Sequence, residues 1–164
     1  MPNTSLFTVD CSLVLTGFMG AGKTSVGQII AAKLGREFID MDIEIETRAG
    51  QSVRALFETR GEEYFRAREA ELCAELATRN NLVIATGGGT LLSLQNRAVF
   101  ANAFVVCLDA TPDAILARVS NAHDRPLLAA ANPRRRLEEL VHARRQTYAQ
   151  IKWHVNTTDK RIEQ

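Results

Sequence analysis

Short unbroken apolar runs alternate along this chain with segments whose apolar residues recur every three or four positions. The runs are Cys11-Ser12-Leu13-Val14-Leu15-Thr16, Glu37-Phe38-Ile39-Asp40, Leu82-Val83-Ile84-Ala85 and Phe104-Val105-Val106-Cys107-Leu108. Each is too short for a helix and has the length of a buried strand. Val155-Asn156-Thr157 reads as a last short strand. Between the first two runs, Val26, Ile29, Ile30 and Leu34 repeat at helical spacing, and Gly35 closes that helix. Asp42 to Arg48 and Ser52 to Thr59 read as two short helices around Gly50. Glu62 to Thr78 reads as a longer one, with Phe65, Leu72 and Leu76 on one side. A helix follows the third strand. Another starts at Thr111 as cap, with Pro112 in its first turn, and a last one runs from Arg135 to Ala149. Strands that are apolar throughout and alternate with helices predict an α/β fold. The expected form is a three-layer sandwich around a parallel sheet of about five strands.

In such sheets, ligands sit beyond the carboxyl ends of the strands. Three unusual segments converge there. After the first strand comes Gly17-Phe18-Met19-Gly20-Ala21-Gly22-Lys23-Thr24, the pattern G-x-x-x-x-G-K-[ST]. Its glycines let successive backbone N–H groups turn inward on phosphate oxygens. The following helix adds its positive N-terminal end. Gly20, Ala21, Gly22, Lys23, Thr24 and Ser25 are therefore the expected nucleotide-binding residues. Lys23 meets the outer phosphates, and Thr24 offers its hydroxyl to Mg²⁺. The second strand ends in Asp40-Met41-Asp42. Asp40 is the best second partner for Mg²⁺, and a strand-end cap is its plainer reading. If the chain stays extended, Asp42 points the same way as Asp40 and suits a hydroxyl nucleophile as acceptor and base. Asp42 also suits a helix N-cap. The third strand ends in Thr86-Gly87-Gly88-Gly89, which suggests a ligand pressed against bare backbone. Arg66, beside Phe65, can fork onto a carboxylate near this rim. Residues 120–133 read as a mobile loop between helices, long enough to be a lid.

Composition narrows the partners. Twenty basic against 19 acidic residues leave a net charge of +1. Nothing in that balance draws the chain toward nucleic acid or an anionic membrane, so any anion must be bound locally. No apolar stretch is long enough to span a bilayer, and the first ten residues lack the features of a signal peptide. The 3 cysteines, Cys11, Cys73 and Cys107, lie among apolar residues, as buried reduced thiols of a cytoplasmic protein do. At 164 residues the chain reads as a single domain.

Taken in order, GFMGAGKTSVG, Phe38-Ile39-Asp40-Met41-Asp42, Gly61-Glu62-Glu63-Tyr64-Phe65-Arg66, Thr86-Gly87-Gly88-Gly89, Arg125-Pro126-Leu127-Leu128 and Arg144-Arg145-Gln146-Thr147-Tyr148 resemble the shikimate kinase family. The phosphate loop alone is shared by many enzymes, whereas the whole set in this order is specific. The resemblance runs from about Leu13 to Thr158. It implies a fold like that of the P-loop nucleoside monophosphate kinases. It also implies transfer of the γ-phosphoryl of ATP to the 3-hydroxyl of shikimate, with Mg²⁺, in aromatic amino-acid biosynthesis. Asp42 is then the acceptor for ring hydroxyls and the candidate base. Arg66 and Arg144 clamp the substrate carboxylate, with Arg145 as a rival to Arg144. The turn Gly87, Gly88, Gly89 lies against the substrate, and Phe57 and Phe65 wall its ring. Lys23 and Arg125 neutralise the migrating phosphoryl, while Arg118 and Arg161 lie by the adenine. The implied layout is a core of about 11–158, a lid of about 119–133 and substrate-binding helices of about 42–70. The family's final helix reads as truncated, which suggests a trimmed chain or a module cut from a larger fusion; the expected state is otherwise a monomer.

Two other readings compete. A gluconate kinase shares loop and lid without requiring the G-E-x-x-F-R and T-G-G-G pair. A regulatory nucleotide-binding module would be marked by a degraded loop or a lost acidic pair, and Lys23, Thr24, Asp40 and Asp42 are all present.

Overall fold

The computed structural model describes residues 10–119 and 132–160. Five parallel strands form one sheet in the order β2-β3-β1-β4-β5. They are β1 (Leu13–Gly17), β2 (Glu37–Asp40), β3 (Leu82–Ala85), β4 (Phe104–Asp109) and β5 (Trp153–Asn156). The helices are α1 (Lys23–Leu34), α2 (Met41–Ala49), α3 (Val53–Ala77), α4 (Leu94–Val99), α5 (Pro112–Val119) and α6 (Pro133–Tyr148).

The pleat explains the layers. Alternate strand residues face opposite sides. Val14, Ile39, Leu82 and Ile84 pack with Met41 and Ile45 of α2 and Leu56, Phe65, Leu72 and Leu76 of α3. Leu15, Val83, Val106 and Leu108 pack on the other face against Ala31 of α1. Phe18 joins Ile115, Val119 and Leu137 in a third cluster beneath α5 and α6. The expected three-layer α/β sandwich is therefore the observed fold. On the α1 face, Phe104, Trp153 and Val155 remain exposed.

Several boundaries differ from the sequence reading, each for a local reason. Helix α2 begins at Met41, directly after β2, so the chain is not extended between Asp40 and Asp42. Asp40, not Asp42, is the N-cap, with Oδ1 accepting from the N–H groups of Asp42 and Ile43. The segments expected as separate helices, Ser52–Thr59 and Glu62–Thr78, are the two arms of α3. They meet at Gly61, whose φ of 83° and ψ of 169° break the helix. Ser52 caps the first arm through Ala55 N–H. The first strand starts at Leu13; just before it, the Ser12 hydroxyl donates to Arg79 O and accepts from Leu82 N–H.

One glycine fixes how the phosphate loop leaves the sheet. Gly17 has φ of 132°, and a Cβ built there would stand 2.3 Å from the Leu108 carbonyl oxygen. That oxygen belongs to the strand paired with β1, so it cannot retreat without opening the sheet. Gly17→Ala is expected to lower stability by at least ~2 kcal/mol through strain and clash together, read as a shifted urea midpoint.

Candidate active site

The phosphate loop, the end of β2, the loop after β3 and the inner faces of α3 and α6 border one continuous cleft. Gly20, Ala21, Gly22, Lys23, Thr24 and Ser25 all line it. So do Asp40, Asp42, Phe57, Phe65, Arg66, Gly87, Gly88, Gly89, Arg118 and Arg144. Arg125, Arg161 and nearly all of the expected lid lie outside the described residues.

On the phosphate side, Lys23 curls back to donate to the carbonyls of Gly17 (2.9 Å) and Phe18 (3.1 Å). Thr24 Oγ1 donates to Asp40 Oδ2 at 2.6 Å. Asp40 thus caps α2 with one oxygen and meets Thr24 with the other, so both of its expected roles are geometrically compatible. The pairing of hydroxyl and carboxylate oxygens suits a small hard cation. More negative charge lies beside them. Burial, then the charges of Asp40 and Glu69, push the Asp42 carboxyl up to about 6, against the pull of Lys23. Asp42 and Lys23 are therefore electrostatic neighbours on one rim.

The loop after β3 is where the substrate-side groups meet. A Cβ on Gly87 would stand 2.8 Å from Asp42 Oδ1 and 2.9 Å from Glu69 Oε1. On Gly89 it would stand 2.9 Å from the Arg66 guanidinium. On Gly88 it would approach Arg144 Nη1 at 3.4 Å and Met19 N at 3.5 Å. None of the three glycines has positive φ. Space, not backbone freedom, therefore calls for them here. The protein's own acid and arginines crowd the same bare backbone at which the sequence suggested a ligand.

Arg66 is held by Glu62 and by Glu69, whose Oε2 accepts from Nη1 at 2.5 Å. Burial works against the guanidinium's charge, and these carboxylates outweigh it, so its pKa rises. Phe57 and Phe65 stack beneath Arg66 with ring centroids 4.8 Å apart. Arg144 Nη1 donates to Gly88 O at 3.1 Å and lies over the Phe18 ring. Arg145 is exposed and does not line the cleft, which separates the two rivals by position.

Arg118 grips backbone. It donates to Gly20 O at 3.1 Å and to the carbonyls of Thr157 and Thr158. The Thr157 hydroxyl in turn lies 3.0 Å from both Ala21 O and Asp109 O. The end of β5 thus braces the phosphate loop.

Three residues received no role from the sequence. Glu69 is 1% exposed and ties Arg66 to Thr90, whose Oγ1 donates to it at 2.6 Å. Its signal was an acid at helical spacing on the stripe of Phe65, Leu72 and Leu76. Tyr148 donates its hydroxyl to Gly88 O. Thr157 left no pattern, because its partners, the Ala21 and Asp109 carbonyls and the Arg118 side chain, are distant in sequence.

The model of the shikimate kinase family matches residues 19–164. A shikimate kinase of Symbiobacterium thermophilum is 46% identical over 153 residues, covering 92% of this chain and 88% of that protein. A bifunctional shikimate kinase/3-dehydroquinate synthase of Thermotoga maritima is 43% identical over 140 residues, which are 85% of this chain and 28% of that one. Among solved structures, the shikimate kinase from Acinetobacter baumannii in complex with shikimate superposes with a TM-score of 0.88. It is 38% identical, with 93% of this chain and 86% of that one covered. A gluconokinase from Sinorhizobium meliloti reaches 0.58 at 19% identity, with 94% of this chain and 86% of that one covered, a likeness of fold alone. Fold, cleft and sequence relatives agree, and this chain belongs to the shikimate kinase family.

Proposed function

We propose that this chain transfers the γ-phosphoryl group of ATP to the 3-hydroxyl of shikimate, giving shikimate 3-phosphate and ADP. The observation that carries the reading is the glycine loop after β3, which gathers Asp42, Arg66 and Arg144 around three bare residues, the middle one facing Met19 N of the phosphate loop. A phosphate cradle alone would suit any nucleotide enzyme. A cradle beside two arginines and a partly buried acid suits a small hydroxylated carboxylate.

Phosphoryl transfer depends on positioning and charge neutralisation more than on covalent help. Backbone N–H groups from Gly20 to Thr24 and the start of α1 hold the phosphates. Lys23 exchanges its contacts with Gly17 O and Phe18 O for phosphate oxygens, and Arg125 of the lid adds a second positive charge. Arg118 and Arg161 lie by the adenine. Mg²⁺ fits beside Thr24 and Asp40, whose oxygens already face each other at 2.6 Å. When bound, it offsets the charge between the outer phosphates. Arg66 and Arg144 grip the substrate carboxylate through charge-assisted hydrogen bonds worth ~1.5–3 kcal/mol each. Gly87, Gly88 and Gly89 leave room for them, and Phe57 and Phe65 wall the ring. Asp42 accepts from the reacting hydroxyl and aligns it. Its raised pKa makes it a better proton acceptor than an ordinary aspartate while leaving it ionised at neutral pH. Closure of a lid at about 119–133 keeps water from the phosphoryl group. The chain works as one catalytic domain, alone or within a larger fusion.

The direct test is ADP release measured with shikimate, with gluconate and with neither. Turnover that depends on shikimate supports the reading; dependence on gluconate or on no acceptor overturns it.

Arg66→Ala is expected to raise KM for shikimate by at least ~10-fold while ATP affinity survives. Arg66→Lys retains a partner for Glu69 and so separates the lost fork from a disturbed helix. Equal loss of both substrates in the lysine variant argues against the assignment.

The pH profile of kcat/KM for shikimate is expected to fall on the acidic side with an apparent pKa near 6, as Asp42 gains a proton. Asp42→Asn should remove that limb and cut kcat with nucleotide affinity nearly intact. The same substitution should stabilise the fold. The Asp42 pKa is raised on folding, so its favourable contribution is complete below its unfolded value and is lost as pH rises through about 6. Above that, the charged carboxylate costs up to about 3 kcal/mol, which Asn relieves. Thermal melts at pH 8 and pH 4 should show a gain at the first that shrinks at the second.

A further inference from the structure

Outside the substrate cleft, one cluster combines a thiol, a carboxylate and an imidazole. Strand geometry assembles it. Cys107 and Asp109 are two residues apart on β4 and so share a face. His154 on β5 is the register partner of Cys107. Val106 and Leu108 turn to the α1 side, so these three side chains project from the opposite face. One donor atom from each lies within 4.8 Å of the others.

From these residues we infer that Cys107, Asp109 and His154 form a binding site for a zinc-like divalent cation at the carboxyl end of β4 and β5. Sulfur, nitrogen and oxygen donors together are the ligand set of tetrahedral zinc. Metal–ligand bonds of 2.0–2.3 Å place neighbouring donors about 3.3–3.8 Å apart in a tetrahedron. Cys107 Sγ and Asp109 Oδ1 stand at 3.6 Å. The other carboxylate oxygen, Oδ2, stands 2.7 Å from His154 Nδ1, so a tetrahedral ion would need this pair to part by about 0.6 Å or more, with one Asp109 oxygen turned to serve both neighbours. The side chains of His154 and Asp109 are 34% and 48% exposed, so an ion has a path in and a fourth position open to water. Cys107 closes the base, fully buried.

A second observation points the same way. The other ring nitrogen, Nε2, stands 2.9 Å from Ile151 O. Both nitrogens of His154 thus face acceptors, and a neutral imidazole has one N–H. In the tautomer whose Nε2–H serves Ile151, Nδ1 presents its lone pair toward Asp109, the orientation a metal ligand has. A backbone carbonyl fixing the far nitrogen is also the support that ligating histidines commonly have. In the same row, Thr16 of β1 is the register partner of Cys107. Its hydroxyl is buried with no hydrogen-bond partner among the described residues. A buried donor without a partner thus lies in the strand row next to Cys107.

Ligation replaces protons. Cys107 gives its thiol proton to solvent. Burial and Asp109 push that thiol up to about 12, so the ion must displace a firmly held proton, and affinity rises with pH. The site adjoins the nucleotide loop through one residue, since Thr157 bonds both Asp109 O and Ala21 O.

The test uses the purified chain, stripped with a chelator and titrated with Co²⁺ alone, then with Zn²⁺. One equivalent of Co²⁺ is expected to give the near-ultraviolet band of a thiolate-to-cobalt transition, which Zn²⁺ abolishes. Cys107→Ser should remove the band, and Cys11→Ser should leave it. His154→Gln changes an exposed side chain and keeps the fold. It should weaken Zn²⁺ binding by more than ~10-fold, the lower end of what loss of a mere supporting partner costs. A missing band in the unaltered chain, a band that persists in Cys107→Ser, or unchanged Zn²⁺ affinity in His154→Gln overturns the inference.

Discussion

The cleft depends on three successive residues having no side chains. Gly87, Gly88 and Gly89 adopt backbone angles open to any residue, and what they provide is room. Asp42 and Glu69 press on the first, Arg144 on the second and Arg66 on the third. These groups come from α2, α3 and α6, elements far apart in sequence. They reach one spot only because β3 ends there in bare backbone. A methyl at Gly87 or Gly89 would meet a side-chain atom at under 3.0 Å. The arginine or acid would have to swing away, and the polar groups of the substrate side would lose their common focus.

Charge organises what that space allows. Asp40, Asp42, Glu46 and Glu69 all act on the same rim. Three of them have distinct work. Asp40 divides its oxygens between the α2 cap and Thr24. Glu69 divides its own between Arg66 and Thr90. Asp42 has the raised pKa, because its surroundings favour its neutral form. That arrangement opposes stability and favours proton acceptance, the exchange expected where a site is built for chemistry rather than for folding.

The phosphate loop is braced from the opposite edge of the sheet. Arg118 spans Gly20 and the Thr157–Thr158 backbone, and Thr157 links Ala21 to the end of β4. The last strand is thus more than an edge. Its carboxyl end fixes the loop that holds phosphate, and its inner row carries His154 beside Asp109 and Cys107. Changes at β5 therefore reach the nucleotide side through two or three hydrogen bonds rather than through the hydrophobic core.

The sequence by itself determined the sheet, the phosphate loop and the family. Runs such as Leu82-Val83-Ile84-Ala85 have no other low-energy place than between two layers, and G-x-x-x-x-G-K-T after such a run has one geometry. It also named Asp42, Arg66 and Arg144 as candidates, through motifs whose order resembles one family. Local grammar went astray where two residues could serve equally: Asp40 took the cap expected of Asp42, because the helix starts at once after β2. Only the tertiary structure decided why three glycines stand together, that Arg144 rather than Arg145 faces the cleft, and that Glu69 anchors Arg66. It alone placed His154 beside Cys107. The physical reason is common to all of these. Periodicity reports which face a residue occupies, whereas the register between distant strands and the approach of separate helices set which faces meet.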